Sequence, residues 1–171
     1  MSMPSLWVKR HIDLIRPGGS VLDVAAGGGR HVALCRLLGL SVTAVDRDIA
    51  GLARFAADAG VRAIRADLET GRWPLEAGVF DGVIVTNYLW RPAIPAVLAA
   101  VAPGGVLIWE TFAMGHERLG RPRNPDFLLH PNELLHALAQ GFEVLGFEQV
   151  EEAGPEPALR QRIAARRCAD G

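Results

Sequence analysis

Lysine and cysteine are both scarce in this sequence. Lys9 is the only lysine, and the 18 basic residues nearly balance the 19 acidic ones, which leaves a formal net charge of −1. A chain so close to neutral lacks the broad basic surface that nucleic acids and anionic membranes require. Cys35 and Cys168 are too few and too far apart for a disulfide framework or a zinc site. We therefore expect no metal, no nucleic acid and no membrane as partners, and a reducing cytoplasmic location.

Long uninterrupted apolar segments are also missing. Near the N-terminus, Asp13 and its charged neighbours interrupt the apolar region that a signal peptide would need. Residues 92–109 are uncharged and long enough to span a bilayer. However, Pro103, Gly104 and Gly105 divide this stretch into a short helix, a turn and a buried strand. The sequence therefore predicts a protein that does not cross a membrane.

What the sequence does contain is an alternation of strand-like and helix-like segments. With 171 residues, 50% of them hydrophobic and 22% charged, the chain has the composition of one globular domain. Short apolar runs predict five buried strands, at 21–25, 41–46, 61–66, 80–86 and 106–111. Helical patterns lie at 5–15, 30–38, 49–56 and 93–101, the third preceded by Asp48 as a cap. This alternation is typical of a parallel sheet covered by helices.

The pattern changes after the fifth strand. Residues 112–130 form a long irregular loop, 132–140 a helix, and 142–150 and 159–166 two more strands. The connection between the last two strands is too short for a crossover helix, so we expect an antiparallel hairpin. The predicted fold is α/β, a doubly wound, Rossmann-like sheet of seven strands, mostly parallel with an antiparallel C-terminal hairpin. We divide this single domain into an N-terminal helix (1–17), a cofactor-binding core (18–111), a substrate-facing loop (112–131) and the C-terminal helix and hairpin (132–171).

Polar residues gather where ligands bind in such sheets, at the carboxyl ends of the strands. A glycine-rich loop follows the first strand, and Asp46, Asp67 and Asn87 follow the next three. Free backbone N–H groups at the start of a helix bind anions, and a carboxylate at the end of the second strand can accept both hydroxyls of a ribose. Together these strand ends predict a pocket for an adenosine that carries a polar tail.

Two residues discriminate between the cofactors that carry adenosine. Val32 stands where a dinucleotide-binding fingerprint needs a small residue. Asp23 lies inside the first strand, before the glycines, where a carboxylate would repel a pyrophosphate. An acid at that point suits a cofactor with a cationic amino group, which S-adenosylmethionine has. A nicotinamide-dependent oxidoreductase is the less favoured alternative.

Five motifs carry a family resemblance. VLDVAAGGGRH (21–31) resembles the first motif of class I S-adenosylmethionine-dependent methyltransferases, and AVDRD, ADLE, FDGVIVTNYL and PGGVLIWETF follow in that family's order. LLHPNELL (128–135) and GFEVLGFEQVEE (141–152) are similar to the ends of compact, tellurite-resistance-like small-molecule methyltransferases. The resemblance implies cofactor contacts from Asp23, Ala25, Gly27, Gly29, Asp46, Arg47, Asp67, Leu68 and Asn87. Ala25 replaces the family's usual first glycine.

The residues that act on the acceptor are less evident from the sequence. The motif after the fourth strand departs from the Asn/Asp-Pro-Pro-aromatic signature of enzymes that methylate base or amide nitrogens. Tyr88 and His116 are the candidate catalytic residues. Trp90, Arg118, Arg121 and Arg123 are the candidate substrate-binding residues, the arginines because guanidinium groups pair with oxyanions.

The hypothesis is an enzyme that transfers a methyl group to a small-molecule acceptor by in-line displacement. Two alternatives remain open beside it. One is a non-catalytic adenosyl-binding module, with 112–130 as its interface. The other is an RNA methyltransferase that depends on a partner for its basic surface.

Overall fold

The computed structural model describes residues 3–70 and 72–169, and seven strands within them form one sheet. The strands are β1 Ser20–Val24, β2 Ser41–Asp46, β3 Val61–Arg65, β4 Phe80–Thr86, β5 Val101–Phe112, β6 Phe142–Glu152 and β7 Ala158–Arg167. Their order across the sheet is β3-β2-β1-β4-β5-β7-β6. The first five strands pair in parallel, whereas β7 is antiparallel to both β5 and β6. The predicted doubly wound sheet with its antiparallel C-terminal hairpin is confirmed.

The helices are short and lie on both faces of the sheet. The α-helices are α1 Leu6–His11, α2 Arg30–Leu37, α3 Ile94–Ala100 and α4 Glu133–Ala137, and 3₁₀ turns cover Ile12–Leu14, Ala50–Phe55, Arg91–Ala93, His116–Arg118 and Pro125–Phe127. Among the described residues, none of these helices is both long enough and apolar enough to cross a bilayer.

The central strands are apolar on both sides because each face of the sheet has its own core. Side chains alternate across a strand, so Leu22 and Val24 of β1 join one cluster while Val21 joins the other. α3 and α4 cover the first cluster, and α1 and α2 cover the second. By the same alternation Asp23 lies on the face of α2, in the middle of the sheet.

The N-terminal helix is attached to the body of the fold through Ser5 and Trp7. The Ser5 hydroxyl caps α1 by accepting from the backbone N–H groups of Trp7 and Val8. The indole N–H of Trp7 donates to the carbonyl of Ile163 in β7 at 3.2 Å. The Ser5 N–H donates to Nε2 of buried His31, and burial together with Arg30 lowers the pKa of that imidazole to about 3. Because its Nε2 is engaged as an acceptor, His31 joins α1 to α2.

Two predicted elements differ from the structure, one in where it begins and one in its type. β5 begins at Val101 rather than at 106, because Val101 already pairs with Phe80 before the register shifts and resumes at Val106. The segment after Asp48 is a 3₁₀ turn and not an α-helix. Gly51 in that turn packs closely against the backbone of Gly28: a Cβ added to Gly51 would lie only 2.9 Å from the Cα of Gly28. The turn therefore lies tightly against the glycine loop.

Candidate functional site

A loop of left-handed residues joins β1 to α2 and forms the first wall of the site. Ala25, Gly27 and Gly29 have φ values of 54°, 52° and 70°. Glycine adopts this conformation freely, whereas alanine is strained in it. A Cβ added at Gly27 or Gly28 would meet nothing within 4 Å, so their backbone faces open space. The sequence prediction that a ligand can approach this backbone closely fits the geometry.

Asp23 lies beneath this loop and has an unusual environment for a carboxylate. Its side chain is 1% exposed, and neither carboxylate oxygen has a hydrogen-bond partner among the described residues. Burial raises the pKa of Asp23 to about 7, against the opposing charge of Arg30, and Asp46 adds to the rise. A buried carboxylate without a partner is costly, and a cationic group in the neighbouring cavity would relieve that cost.

Asp46 joins the end of β2 to the glycine loop. One carboxylate oxygen accepts from the Gly27 N–H at 2.8 Å, and the other accepts from the Asp48 N–H at 2.9 Å. These two bonds fix the orientation of the carboxylate, and each oxygen keeps a further lone pair for a ligand.

A cavity of about 550 Å³ opens at the carboxyl ends of β1 to β4. Its lining comprises Ala25, Asp46, Arg47, Ala66, Asp67, Leu68, Glu69, Tyr88 and Phe127. Five of the residues predicted to hold the cofactor are therefore brought together around one space, whereas Asp23, Gly27, Gly29 and Asn87 are not among its lining residues. Ala66, Glu69 and Phe127 were not predicted. Phe127 comes from the loop after β5, and no local signal in the sequence marks it.

A second cavity of about 260 Å³, which we call the acceptor chamber, adjoins the first. It is lined by Glu69, Asn87, Tyr88, Leu89, Thr111, Phe112, Pro122 and Phe127. Glu69, Tyr88 and Phe127 line both cavities, so these three residues stand at the boundary between them. A group bound in one cavity can therefore lie beside a molecule bound in the other.

Asn87 is held at the edge of the acceptor chamber by a contact from β7. Its backbone is left-handed, with a φ of 55°, and its N–H donates to the Glu110 carbonyl at 3.0 Å. Arg160 donates from Nη1 to the Asn87 side-chain oxygen at 2.5 Å and lies 4.3 Å from the centre of the Phe112 ring. Glu152 in turn accepts from Nε of Arg160 at 3.0 Å. The sequence did not indicate Arg160, because its contact with Asn87 joins residues 73 positions apart.

The comparisons with known proteins agree with this geometry. A family model described as a methyltransferase domain matches residues 21–105, which contain the glycine loop, Asp46, Asp67 and Asn87. These residues form a methyltransferase domain, and the fold of the whole chain resembles that of S-adenosylmethionine-dependent methyltransferases. No curated protein matches the chain by sequence.

Solved structures share the fold of this methyltransferase at low sequence identity. An S-adenosylmethionine-dependent methyltransferase from Mesorhizobium loti is 21% identical with a TM-score of 0.71, over 93% of this chain and 96% of that one. A second neighbour is a 1,6-didemethyltoxoflavin-N1-methyltransferase from Burkholderia thailandensis, solved with 1,6-didemethyltoxoflavin and S-adenosylhomocysteine. It is 21% identical with a TM-score of 0.70, and the match covers 95% of this chain and 76% of that one. The [4+2]-cyclase SpnF is 18% identical with a TM-score of 0.71, and the match covers 96% of this chain and 79% of that one.

The residues of this methyltransferase fit S-adenosylmethionine, the cofactor of its family. Asp23 offers an unpartnered buried carboxylate for a cationic amino group. The open backbone at Gly27 and Gly28 leaves room for the tail of the cofactor. Asp46 and Asp67 present carboxylates to the larger cavity, where the ribose and the adenine would lie. No group of three or more His, Cys, Asp or Glu side chains in residues 3–70 and 72–169 is arranged to hold a metal.

Tyr88 is the candidate catalytic residue that does line the site of the methyltransferase. Its hydroxyl is buried and has no hydrogen-bond partner among the described residues. Burial, with the nearby charges of Glu69 and Asp67, raises the pKa of Tyr88 to about 12. The phenol therefore stays protonated at neutral pH and can donate a hydrogen bond, but it is not a general base.

His116, the other candidate catalytic residue, has a structural environment. The ring is buried and stacks on Phe112 at 4.3 Å between centroids. Nδ1 accepts from the Leu159 N–H at 3.3 Å, and Nε2 lies 2.9 Å from the Arg121 carbonyl, to which it donates in the matching tautomer. With both nitrogens engaged, His116 has none left for a substrate and instead ties the loop after β5 to β7.

The predicted substrate-binding residues lie outside the two cavities. Arg118 donates from Nε to the Gly115 carbonyl, and Arg123 donates from Nε to the Gly120 carbonyl. None of Arg118, Arg121, Arg123 and the half-buried Trp90 is among the described residues that line either cavity. The end of β5 instead contributes Phe112, and the loop that follows contributes Pro122 and Phe127, so this segment presents apolar surface to the site and not positive charge.

Arg91 positions Phe127, although the sequence gave no indication of this role. Its guanidinium pairs bidentately with Glu133 at 2.8 and 2.9 Å. The same group donates to the carbonyls of Asp126 and Leu128, both at 2.8 Å. These two carbonyls flank Phe127, so Arg91 fixes the backbone on both sides of the ring that lines both cavities.

Proposed function

We propose that this chain is an S-adenosylmethionine-dependent methyltransferase that acts on a small-molecule acceptor. The observation that carries the proposal is the pair of adjoining cavities with Glu69, Tyr88 and Phe127 at their boundary. The larger one has the polar lining that an adenosyl cofactor needs. The smaller one, of about 260 Å³, has the size of a site for a small acceptor. The Burkholderia neighbour, a small-molecule N-methyltransferase by name, is consistent with this choice.

The bound cofactor would supply a methyl group on a cationic sulfur. The side chains of this protein then have three tasks. Asp23 and Asp46 bind and orient the cofactor, and Phe127 and Leu89 keep water from the reacting atoms. Tyr88 donates a hydrogen bond at the boundary of the two cavities. Alignment of two bound reactants and exclusion of water supply much of the rate of such displacements.

Calorimetry with S-adenosylhomocysteine tests the cofactor site. Wild-type protein should bind it, and Asp46→Ala should weaken binding by roughly tenfold or more, because a carboxylate hydrogen bond to a ribose hydroxyl is lost. Asp13→Ala is the matched control, since Asp13 is exposed on the 3₁₀ turn after α1. Absence of binding by the wild type would refute the proposal.

A non-catalytic or differently acting adenosyl-binding protein is the second candidate. SpnF has this fold and is a [4+2]-cyclase, so the fold alone does not determine the reaction. Labelled cofactor incubated with a metabolite extract separates the two candidates. The proposed function predicts a labelled methyl product, whereas the second candidate predicts binding without transfer. We also propose the cytoplasm as its compartment, because Cys35 and Cys168 are both free thiols.

A further inference from the structure

The acceptor chamber combines aromatic walls with a single charge. Tyr88, Phe112 and Phe127 contribute rings, and Leu89 and Pro122 complete the apolar part of the lining. Glu69 is the only charged residue among the described residues that line it, and it forms no ion pair with them. The guanidinium of Arg160 stacks on Phe112 and is already bound by Asn87 and Glu152. The chamber therefore disfavours an anion and favours a flat, neutral or cationic molecule.

Apart from the carboxylate of Glu69, which is a much weaker base than an aliphatic amine, the described residues that line the acceptor chamber offer no side chain suited to remove a proton from the acceptor. The hydroxyl of Tyr88 stays protonated, with a pKa near 12, and both nitrogens of His116 are engaged by the backbone. An acceptor that arrives with a free lone pair therefore fits this lining best. An aliphatic amine, with a pKa of roughly 10, is protonated at neutral pH, whereas an imidazole-like ring nitrogen, with a pKa of roughly 6.5, is not.

From these observations we infer that the acceptor is a neutral nitrogen heterocycle of one or two fused rings, methylated on a ring nitrogen. The inference rests on the proposed function and names its substrate class. The ring-nitrogen lone pair forms the bond to the methyl carbon while the carbon–sulfur bond breaks, and its electron pair remains on sulfur. The positive charge thus moves from sulfur to the ring, and S-adenosylhomocysteine leaves as a neutral thioether. No base is required for this step.

The chamber matches the charge that develops on the acceptor. As the ring becomes cationic, the carboxylate of Glu69 attracts it and the ring of Phe127 stabilises it through cation–π contact. The volume of about 260 Å³ lies just below the usual range for drug-sized ligands, which fits one or two fused rings.

Binding of a product-like cation tests the inference. Protein saturated with S-adenosylhomocysteine is titrated with N-methylquinolinium and, separately, with quinoline-2-carboxylate. We expect the cation to bind and the anion to bind at least tenfold more weakly. Glu69→Gln should weaken binding of the cation by roughly fivefold, and Glu76→Gln, an exposed acid outside both linings, should leave it unchanged.

Three results would overturn the inference while leaving the proposed function intact. The first is that N-methylquinolinium does not bind to the S-adenosylhomocysteine complex. The second is that quinoline-2-carboxylate binds as tightly as N-methylquinolinium or more tightly. The third is that wild type and Glu69→Gln bind N-methylquinolinium with equal affinity. If S-adenosylhomocysteine itself does not bind to the wild type, the proposed function is refuted, and the inference about its acceptor is refuted with it. Turnover of quinoline or isoquinoline to the N-methyl cation, detected by mass spectrometry, would support the inference directly.

Discussion

Asp23 should make the stability of the ligand-free protein depend on pH in an unusual direction. Burial raises its pKa from an ordinary 3.8 to about 7 in the folded state. Between these two values the folded protein binds more protons than the unfolded chain, so the free energy of unfolding falls as pH rises through this window and levels off above it. A difference of about three pKa units corresponds to roughly 4 kcal/mol in all.

Asp23→Asn removes the ionisation and keeps the shape of the side chain. Urea unfolding of both proteins at pH 5 and pH 8 isolates the effect, because the other acids contribute equally to the two curves. The part of the window between these pH values is worth roughly 3 kcal/mol. The wild type should therefore lose about that much stability relative to Asp23→Asn from pH 5 to pH 8.

Parallel stability curves for the two proteins would refute this reasoning, since they would mean that Asp23 does not titrate between pH 5 and pH 8. The cofactor gives a second readout. S-adenosylhomocysteine carries an amino group that is cationic in this range, so its affinity for wild type should rise with pH. For Asp23→Asn the affinity should stay flat, and Asp13→Asn should behave like the wild type.

Three further changes have defined outcomes. Ala25→Gly should raise the free energy of unfolding by about 1 kcal/mol, because it relieves the left-handed backbone of an alanine; an unchanged or lower thermal midpoint would contradict this. Arg91→Lys should weaken S-adenosylhomocysteine binding by roughly threefold to tenfold in calorimetry, because a lysine cannot bind Glu133 and both carbonyls beside Phe127 at once. An unchanged affinity would show that the Phe127 ring is held in place without Arg91. Arg162→Met should lower the free energy of unfolding in urea by about 3 kcal/mol, because it leaves the buried carboxylate of Glu110, 2.9 Å away, without its partner. Combining it with Glu110→Leu should recover most of that loss. A double variant as unstable as Arg162→Met would contradict this explanation.

The parts of the fold that the sequence predicted are those with a local physical signal. A strand buried on both faces is apolar throughout, so β1, β4 and most of β5 were evident. Polar residues such as Asp46 and Asp67 stand out directly after such runs. Since the carboxyl ends of parallel strands meet at one edge, their gathering around one cavity follows from the order of elements.

The parts that the sequence did not predict depend on contacts between distant residues. Phe127 reaches the site because Arg91, 35 residues before Asp126, binds the carbonyls beside it. Arg160 reaches Asn87 because β7 lies beside β5. The spacing of Ile49, Leu52 and Ala53 suits an α-helix and a 3₁₀ turn equally, and only the close approach of Gly51 to Gly28 selects the tighter form. The arginines of the loop after β5 were proposed from their charge, which does not reveal which way the loop turns.

The position of β7 has a consequence for how the protein is made. β7 follows β6 along the chain, yet it lies between β5 and β6 in the sheet. During synthesis β6 emerges from the ribosome before the strand that must separate it from β5, so it has no neighbour to pair with until β7 follows. Arg160, which holds Asn87, also arrives with β7. A nascent chain can thus assemble the cofactor cavity early, while the edge of β5 stays exposed to aggregation until the acceptor chamber is complete.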